Sequence, residues 1–318
     1  MKVVGWHASH ELYPPSELLR LGRRAEGAGF TAGMCSDHFH PWTPQQGESG
    51  FAFSWLGAAL QATRLSFGNV CCSFMRYHPA VVAQAAATLA EMFPGRYWLA
   101  VGTGQALNES ITGGAWPTKA ERRARLREAV DVIRALWAEE TVTHTGLVTV
   151  TDAKLYTRPA KPPLLFGAAL TAETAEWVGS WADGLLTVGH ESDGRRAVVE
   201  AFRRDGGAGK PMVVQAAVGY APDEDEAWRD AHARWPVAGL GQDLLQDAPT
   251  PDQIAGPAGQ VRAEDLRGKL RVSADLARHA EWLRGDFAAG FGAVYLHFVG
   301  RGPERFIDAF ANHVLPAC

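Results

Sequence analysis

Gly29-Phe30-Thr31-Ala32-Gly33-Met34-Cys35-Ser36-Asp37-His38-Phe39-His40-Pro41-Trp42 is the stretch on which the fold turns. Its first half is a short apolar run after a helical pattern, which predicts a buried strand. Its second half sets an acid, two imidazoles and an indole in a loop with a proline. A strand that ends in Asp-His is how α/β folds present reactive groups at the carboxyl edge of a sheet. An imidazole moves protons near neutral pH, and an indole stacks on flat rings. The plainer alternative is a strand end whose Asp37 caps a turn and whose His38 faces water.

Short apolar runs alternate with helical patterns on both sides of this stretch. The strand candidates are 3–8, 30–36, 65–70, 97–101, 164–168, 184–188, 212–220 and 293–298. The helical patterns are 15–27, 54–63, 80–92, 119–138, 172–181, 193–204, 224–234 and 304–313. Strand–helix–strand connections require parallel strands, so eight such units predict a (β/α)8 barrel over a single domain, 1–318. The alternative, an open doubly wound sheet, usually has a glycine-rich first turn; here that turn is Ala8-Ser9-His10-Glu11-Leu12. Two segments break the alternation. Residues 139–163 contain Thr141–Val150, which reads as a hairpin inserted after the fourth helix. Residues 235–270, before the eighth strand, are rich in Pro, Gly, Gln and Asp and read as an irregular lid or binding loop.

Composition narrows the function classes. The 318 residues are 47% hydrophobic and 21% charged, as in a soluble globular protein. A net charge of −4 and a pI of about 6.3 give no basic footprint for nucleic acid. No apolar stretch reaches the roughly 18 residues of a membrane span. The first residues run directly into a strand without a signal peptide, and four irregularly spaced cysteines make no disulfide framework. A reduced, cytoplasmic location is expected.

Barrel active sites lie at the carboxyl ends of the strands. His7, Asp37-His38, Asn69-Val70-Cys71-Cys72, Gly102–Glu109, Gly167–Thr171 and His297 all fall there. In Gly102-Thr103-Gly104-Gln105 the glycines allow close backbone approach, and the amides of Gln105 and Asn108 can bond a heterocycle edge. An ordinary strand-to-helix turn capped by Asn108 is the competing reading. Thr171-Ala172-Glu173-Thr174 opens a helix, either as a phosphate site or as a plain cap, and Glu173 would repel an anion. His38 and His40 have no third ligand, so no metal is expected. The run Arg122–Arg127 reads as a solvated helix face.

Ser36–Trp42, Phe74–Gln84, Gly102–Glu109 and Ala182-Asp183-Gly184 together closely resemble the luciferase-like flavin-dependent oxidoreductases. The nearest branch is that of deazaflavin-dependent glucose-6-phosphate and alcohol dehydrogenases. The likeness is good over about residues 1–190 and looser over the last 50. It implies a barrel, usually dimeric, with a flavin-type ring across the strand ends. By this resemblance His38 is the acid/base and Asp37 contacts the cofactor. Asn69-Val70, beside Cys72, sits where the family often has a non-proline cis bond. Gln105 and Asn108 contact the cofactor, and Ala169, Leu170, Thr171 and Thr174 hold its phosphate. Trp42, His7, His190 and His297 line the substrate pocket.

The departures shape the expected chemistry. The dehydrogenase branch has a glutamate where this chain has Gln105, and an amide transfers no proton at neutral pH. Glu109, one helical turn on, is the candidate replacement. The branch's Gly-Gly is Leu170-Thr171 here, and His190-Glu191 stand where it has a substrate-phosphate lysine. Glucose 6-phosphate is therefore not the expected substrate. These changes point to FMN as cofactor, in an oxidoreductase or monooxygenase acting on a small organic substrate. The deazaflavin coenzyme F-420 is the alternative, and a non-catalytic flavin-binding protein the second. The expected partners are that substrate, a flavin reductase and a second copy of the chain, with neither nucleic acid nor membrane.

Overall fold

The computed structural model describes residues 2–189 and 193–318. Eight strands run parallel: β1 Val3–Ala8, β2 Ala32–Ser36, β3 Ser66–Cys71, β4 Tyr97–Val101, β5 Leu165–Ala168, β6 Gly184–Val188, β7 Met212–Gly219 and β8 Ala293–Phe298. Each pairs with the next, and β8 pairs back onto β1, so the sheet closes into a barrel. The open-sheet alternative is excluded.

The outer ring comprises α1 Pro15–Gly27, α2 Ala52–Ala62, α3 Pro79–Met92, α4 Lys119–Trp137, α5 Ala172–Gly179, α6 Asp193–Phe202, α7 Glu224–Arg234, α8 Leu276–Ala288 and α9 Pro303–Ala309. In α1, Pro15 presets the first turn. Leu18, Leu21 and Ala25 then recur on one face and are fully buried. At such a site Leu→Ala costs about 2–5 kcal/mol.

Side chains alternate across each strand. One set packs outward under the helices. The other fills the barrel with Ala32, Met34, Trp98, Ala100, Phe166, Leu186, Val213, Ala293 and Tyr295. Tryptophan at this depth needs room, and Gly68 gives it: a Cβ there would stand 2.0 Å from the Trp98 ring. Moving two residues along the inward set from Met34, Val213, Tyr295 and Gly5 reaches Ser36, Gln215, His297 and His7. The interior is therefore apolar below and polar at its carboxyl end.

The hairpin is present as Val142–Thr145 paired antiparallel with Thr149–Ala153. The second insertion differs from expectation. It forms short helices at Pro236–Gly239, Gln242–Asp247, Pro251–Ala258 and Ala263–Leu266. Their Val237, Leu245, Ile254 and Leu266 make a separate cluster with Leu12, Leu107 and Val299, against which Trp42 packs. Polar composition hid these apolar contacts because each helix contributes only one or two. A two-residue strand, Arg271-Val272, then pairs with the end of β7, and a buried Arg271–Asp286 fork at 2.6 and 2.8 Å ties it to α8. Helix α8 is an addition to the sequence reading, although Asp275 caps it and Ala280, Leu283 and Phe287 mark its buried face.

Candidate active site at the strand ends

Register builds the site. Ala8 lies opposite Cys35, so the residues following β1 and β2 emerge side by side. Glu11, not singled out by its sequence context, is thereby brought to Ser36 and His38. Ser36 Oγ donates to Glu11 Oε1 at 2.6 Å and Ser9 Oγ to Oε2 at 3.0 Å. His38 Nδ1 stands 3.7 Å from Oε1. Burial opposes the charge on Glu11, but the His38 imidazole and the Ser36 hydroxyl outweigh it, and the carboxyl sits below its usual range. His38 is only partly buried, and its ring meets the edge of Trp42 at 5.0 Å. The predicted acid/base and pocket wall thus sit together at the mouth.

His7 and His297 lie deeper than a pocket lining would. Both are buried, their rings 4.4 Å apart, and Trp235 from the insertion covers His297 edge-on at 4.4 Å. Burial drives both below the usual histidine range, His297 to about 3, so both are neutral. Their inward-facing strand positions put them beneath the site. His190 lies outside the described residues.

Arg76 bridges Asp37 and Glu109, and neither carboxylate has a described hydrogen bond or ion pair with His38. Arg76 bonds Asp37 Oδ2 at 3.0 Å, and Tyr77 bonds Oδ1 at 3.0 Å. The Arg76 backbone N–H donates to Glu109 Oε2 at 2.8 Å, with its Nε 3.8 Å from Oε1. Burial raises both carboxyls, Glu109 to about 7, against the pull of Arg76. No hydrogen bond or ion pair links Glu109 to His38 among the described residues. Its contacts here are with the β3–α3 loop through Arg76.

The residues expected to contact the cofactor make the following contacts within the chain. The Asn69–Val70 peptide is trans, as no described peptide is cis. Asn69 Oδ1 accepts from Tyr97 at 2.7 Å, while its Nδ2 and the nearby Ser73 Oγ are buried without partners. Cys72 packs against Gly104, where a Cβ would meet its sulfur at 2.9 Å. Asn108 Oδ1 accepts the backbone N–H groups of Phe39 at 2.9 Å and His40 at 3.4 Å, and its Nδ2 donates to Gln105 Oε1 at 3.3 Å. Its amide therefore holds the His38 loop. Gln246 of the insertion bonds the Gly104 carbonyl.

At β5, Ala169 is buried and Leu170 exposed. Thr171 Oγ1 caps α5 through the Thr174 N–H at 3.3 Å. Glu173 does not stand there as a bare anion, because Lys119 reaches it at 2.8 Å and Arg123 at 2.6 Å. Two cations thus flank this helix start. Arg122, read as solvated, is buried over the Trp116 ring at 4.4 Å because it faces the barrel side of α4. Two surface cavities, of about 280 and 340 Å³, lie among outer-helix residues such as Trp228, Trp282, Val199 and Ala289, so the site is assigned by its chemistry. All four cysteines are free. No described group of three or more His, Cys, Asp or Glu could hold a metal ion. No described helix is long and apolar enough to cross a membrane.

Comparison with known proteins agrees with this fold. The profile of the luciferase-like monooxygenase family matches residues 3–312. An F420-dependent glucose-6-phosphate dehydrogenase of Intrasporangium calvum is 36% identical over 332 residues, covering 99% of this chain and 98% of that protein. Another, from Nakamurella multipartita, is 35% identical over 325 residues, with 98% and 95% covered. Among solved structures, an F420-dependent secondary alcohol dehydrogenase in complex with an F420-acetone adduct superposes with a TM-score of 0.91 at 32% identity, covering 100% of this chain and 99% of that one.

Proposed function

Since the chain belongs to the luciferase-like monooxygenase family and is an oxidoreductase of that kind, we propose that it is a deazaflavin-dependent dehydrogenase acting on a small, uncharged alcohol or carbonyl compound. The sequence departures pointed to FMN; the F420-dependent relatives support the deazaflavin instead.

The observation that carries the substrate class is that, among the described residues, no spare cation contacts His38. Arg76 is spent on Asp37 and Glu109. No lysine or other arginine forms a described contact with His38, Trp42 or Glu11. An anionic substrate such as a sugar phosphate would be buried here without a partner, which is costly.

The residues present fit a heterocyclic cofactor. Buried polar groups normally have partners, and Asn69 Nδ2 and Ser73 Oγ have none, so they are available to a ring edge at the end of β3. Lys119 and Arg123 beside α5 suit an anionic tail. The deazaflavin, when bound, supplies the hydride acceptor. His38 takes the hydroxyl proton of the alcohol, and Glu11 stabilises the resulting imidazolium. Trp42 walls the substrate and helps exclude water. The carbonyl product forms as the substrate carbon gives up its hydride and its oxygen gives up its proton. A homodimer is part of this proposal. A flavin reductase belongs only to the FMN alternative.

The test is titration of the purified protein with the deazaflavin and, separately, with FMN, followed by turnover with secondary alcohols. Deazaflavin binding at micromolar affinity or tighter, with reduction by an alcohol, supports the proposal. Selective FMN binding with oxygen uptake would replace it with the monooxygenase reading, which Gln105 favours.

A further inference from the structure

We propose that Gln215, His297 and Ser9 form a positioning chain inside the barrel that keeps both oxygens of Glu11 supplied with donors and so fixes the carboxylate that serves His38. The chain rests on the proposed role of His38 only at its last link. Its internal order follows from donor and acceptor chemistry with the Gln215 amide nitrogen against the ring.

The order runs in one direction. The Gln215 amide nitrogen can only donate, and it faces His297 Nδ1 at 3.2 Å. Nδ1 is therefore the lone-pair nitrogen, and the ring's single proton sits on Nε2. Nε2–H donates to Ser9 Oγ at 2.9 Å. Accepting that bond on one lone pair, the Ser9 hydroxyl turns its own hydrogen to Glu11 Oε2 at 3.0 Å. Ser36 serves Oε1 from the other side. In the opposite tautomer His297 Nε2 would be an acceptor. The single Ser9 hydrogen would then be contested between the ring and Glu11, weakening one of the carboxylate's two hydroxyl donors. Gln215 thus selects the tautomer on which the state of Glu11 depends.

The surroundings make this a device rather than packing. His297 sits between the His7 and Trp235 rings at 4.4 Å each, which hold its plane. A leucine would fill such a site without the desolvation cost of an imidazole. The titratable groups facing the chain are His7, beside both Glu11 and His297, His10 beside Glu11 and His7, and His38 at the mouth. His297 stays neutral, so it passes on hydrogen-bond direction and not charge.

The test is read in the protein free of cofactor, so that it does not depend on the proposed reaction. NMR titration of 13C-labelled glutamate follows Glu11, and 15N shifts of the histidine ring report the His297 tautomer. Ser9→Ala and His297→Leu are expected to raise the Glu11 midpoint by about one pH unit, as loss of one donor to a carboxylate does. His297→Gln keeps an N–H near the Nε2 position and should restore it. Gln215→Leu should reduce the Nε2–H tautomer. In the loaded enzyme Ser9→Ala should lower kcat about tenfold, with KM and cofactor Kd unchanged and the acidic limb of the pH profile moved upward. A Glu11 midpoint unmoved in both Ser9→Ala and His297→Leu would overturn the chain. If the midpoints move but the wild-type protein oxidises no alcohol, the chain stands and the proposed function fails.

Discussion

Glu11 Oε1 lies 3.7 Å from His38 Nδ1, a separation too long for a hydrogen bond and short enough for an ion pair once the ring is protonated. Catalytic contacts of this kind commonly tighten when a substrate arrives. The carboxylate is sealed, held by two hydroxyls and ionised, whereas the imidazole reaches the mouth. That asymmetry suits a fixed charge serving a group that must gain and lose a proton.

Replacing Glu11 with glutamine keeps an acceptor for one hydroxyl but removes the charge. The imidazolium then loses its counter-ion, so kcat should fall about ten- to hundredfold, with cofactor affinity nearly unchanged. Steady-state kinetics with a parallel binding titration checks this; a fall confined to KM would assign Glu11 to substrate binding.

His38→Ala removes the proton-transfer group from the mouth. Turnover should drop by about two to four orders of magnitude, while cofactor binding persists. Wild-type turnover in this variant would remove His38 from the mechanism.

Glu109 gives a stability test independent of activity. Burial lifts its folded-state pKa to about 7, above the 4.5 of an ordinary glutamate, so folding favours the protonated form. That contribution is fully present below about pH 4.5 and is lost as pH rises through 7. Glu109→Gln keeps an acceptor for the Arg76 N–H and cannot ionise. Between pH 5 and 8 it should therefore gain on the wild type by an amount on the order of 3 kcal/mol. Urea unfolding at the two pH values measures it. A wild-type and variant difference that stays constant with pH would show that Arg76 keeps Glu109 ionised throughout.

The barrel was legible because its signal is local. All eight strands and the first helix followed from short apolar runs and 3.6-residue spacing, with boundaries moved by one or two residues. Phe30, for example, still bonds back to Ala25 and precedes the strand. His38 and Trp42 were legible because they follow a strand in one short loop. Glu11 was not. Its partners Ser36 and His38 are 25 and 27 residues away, and only the Ala8–Cys35 register brings them together. The same limit hid the division of labour in Asn108-Glu109. The segment suggested ligand contacts, and long-range packing adds contacts of both side chains to neighbouring loops.

Asn108→Ala separates those two readings. As a clamp, Asn108 joins the Phe39 and His40 N–H groups to Gln105. Its removal leaves two backbone donors without their acceptor, at a cost of about 1–3 kcal/mol. The loop carrying His38 and Trp42 is then less fixed, and a small misplacement of a catalytic group costs heavily. The expected result is a lower unfolding free energy and a lower kcat, with cofactor Kd changed less than about threefold, within 1 kcal/mol. If Kd weakens tenfold or more while stability holds, Asn108 contacts the cofactor directly and the clamp is secondary.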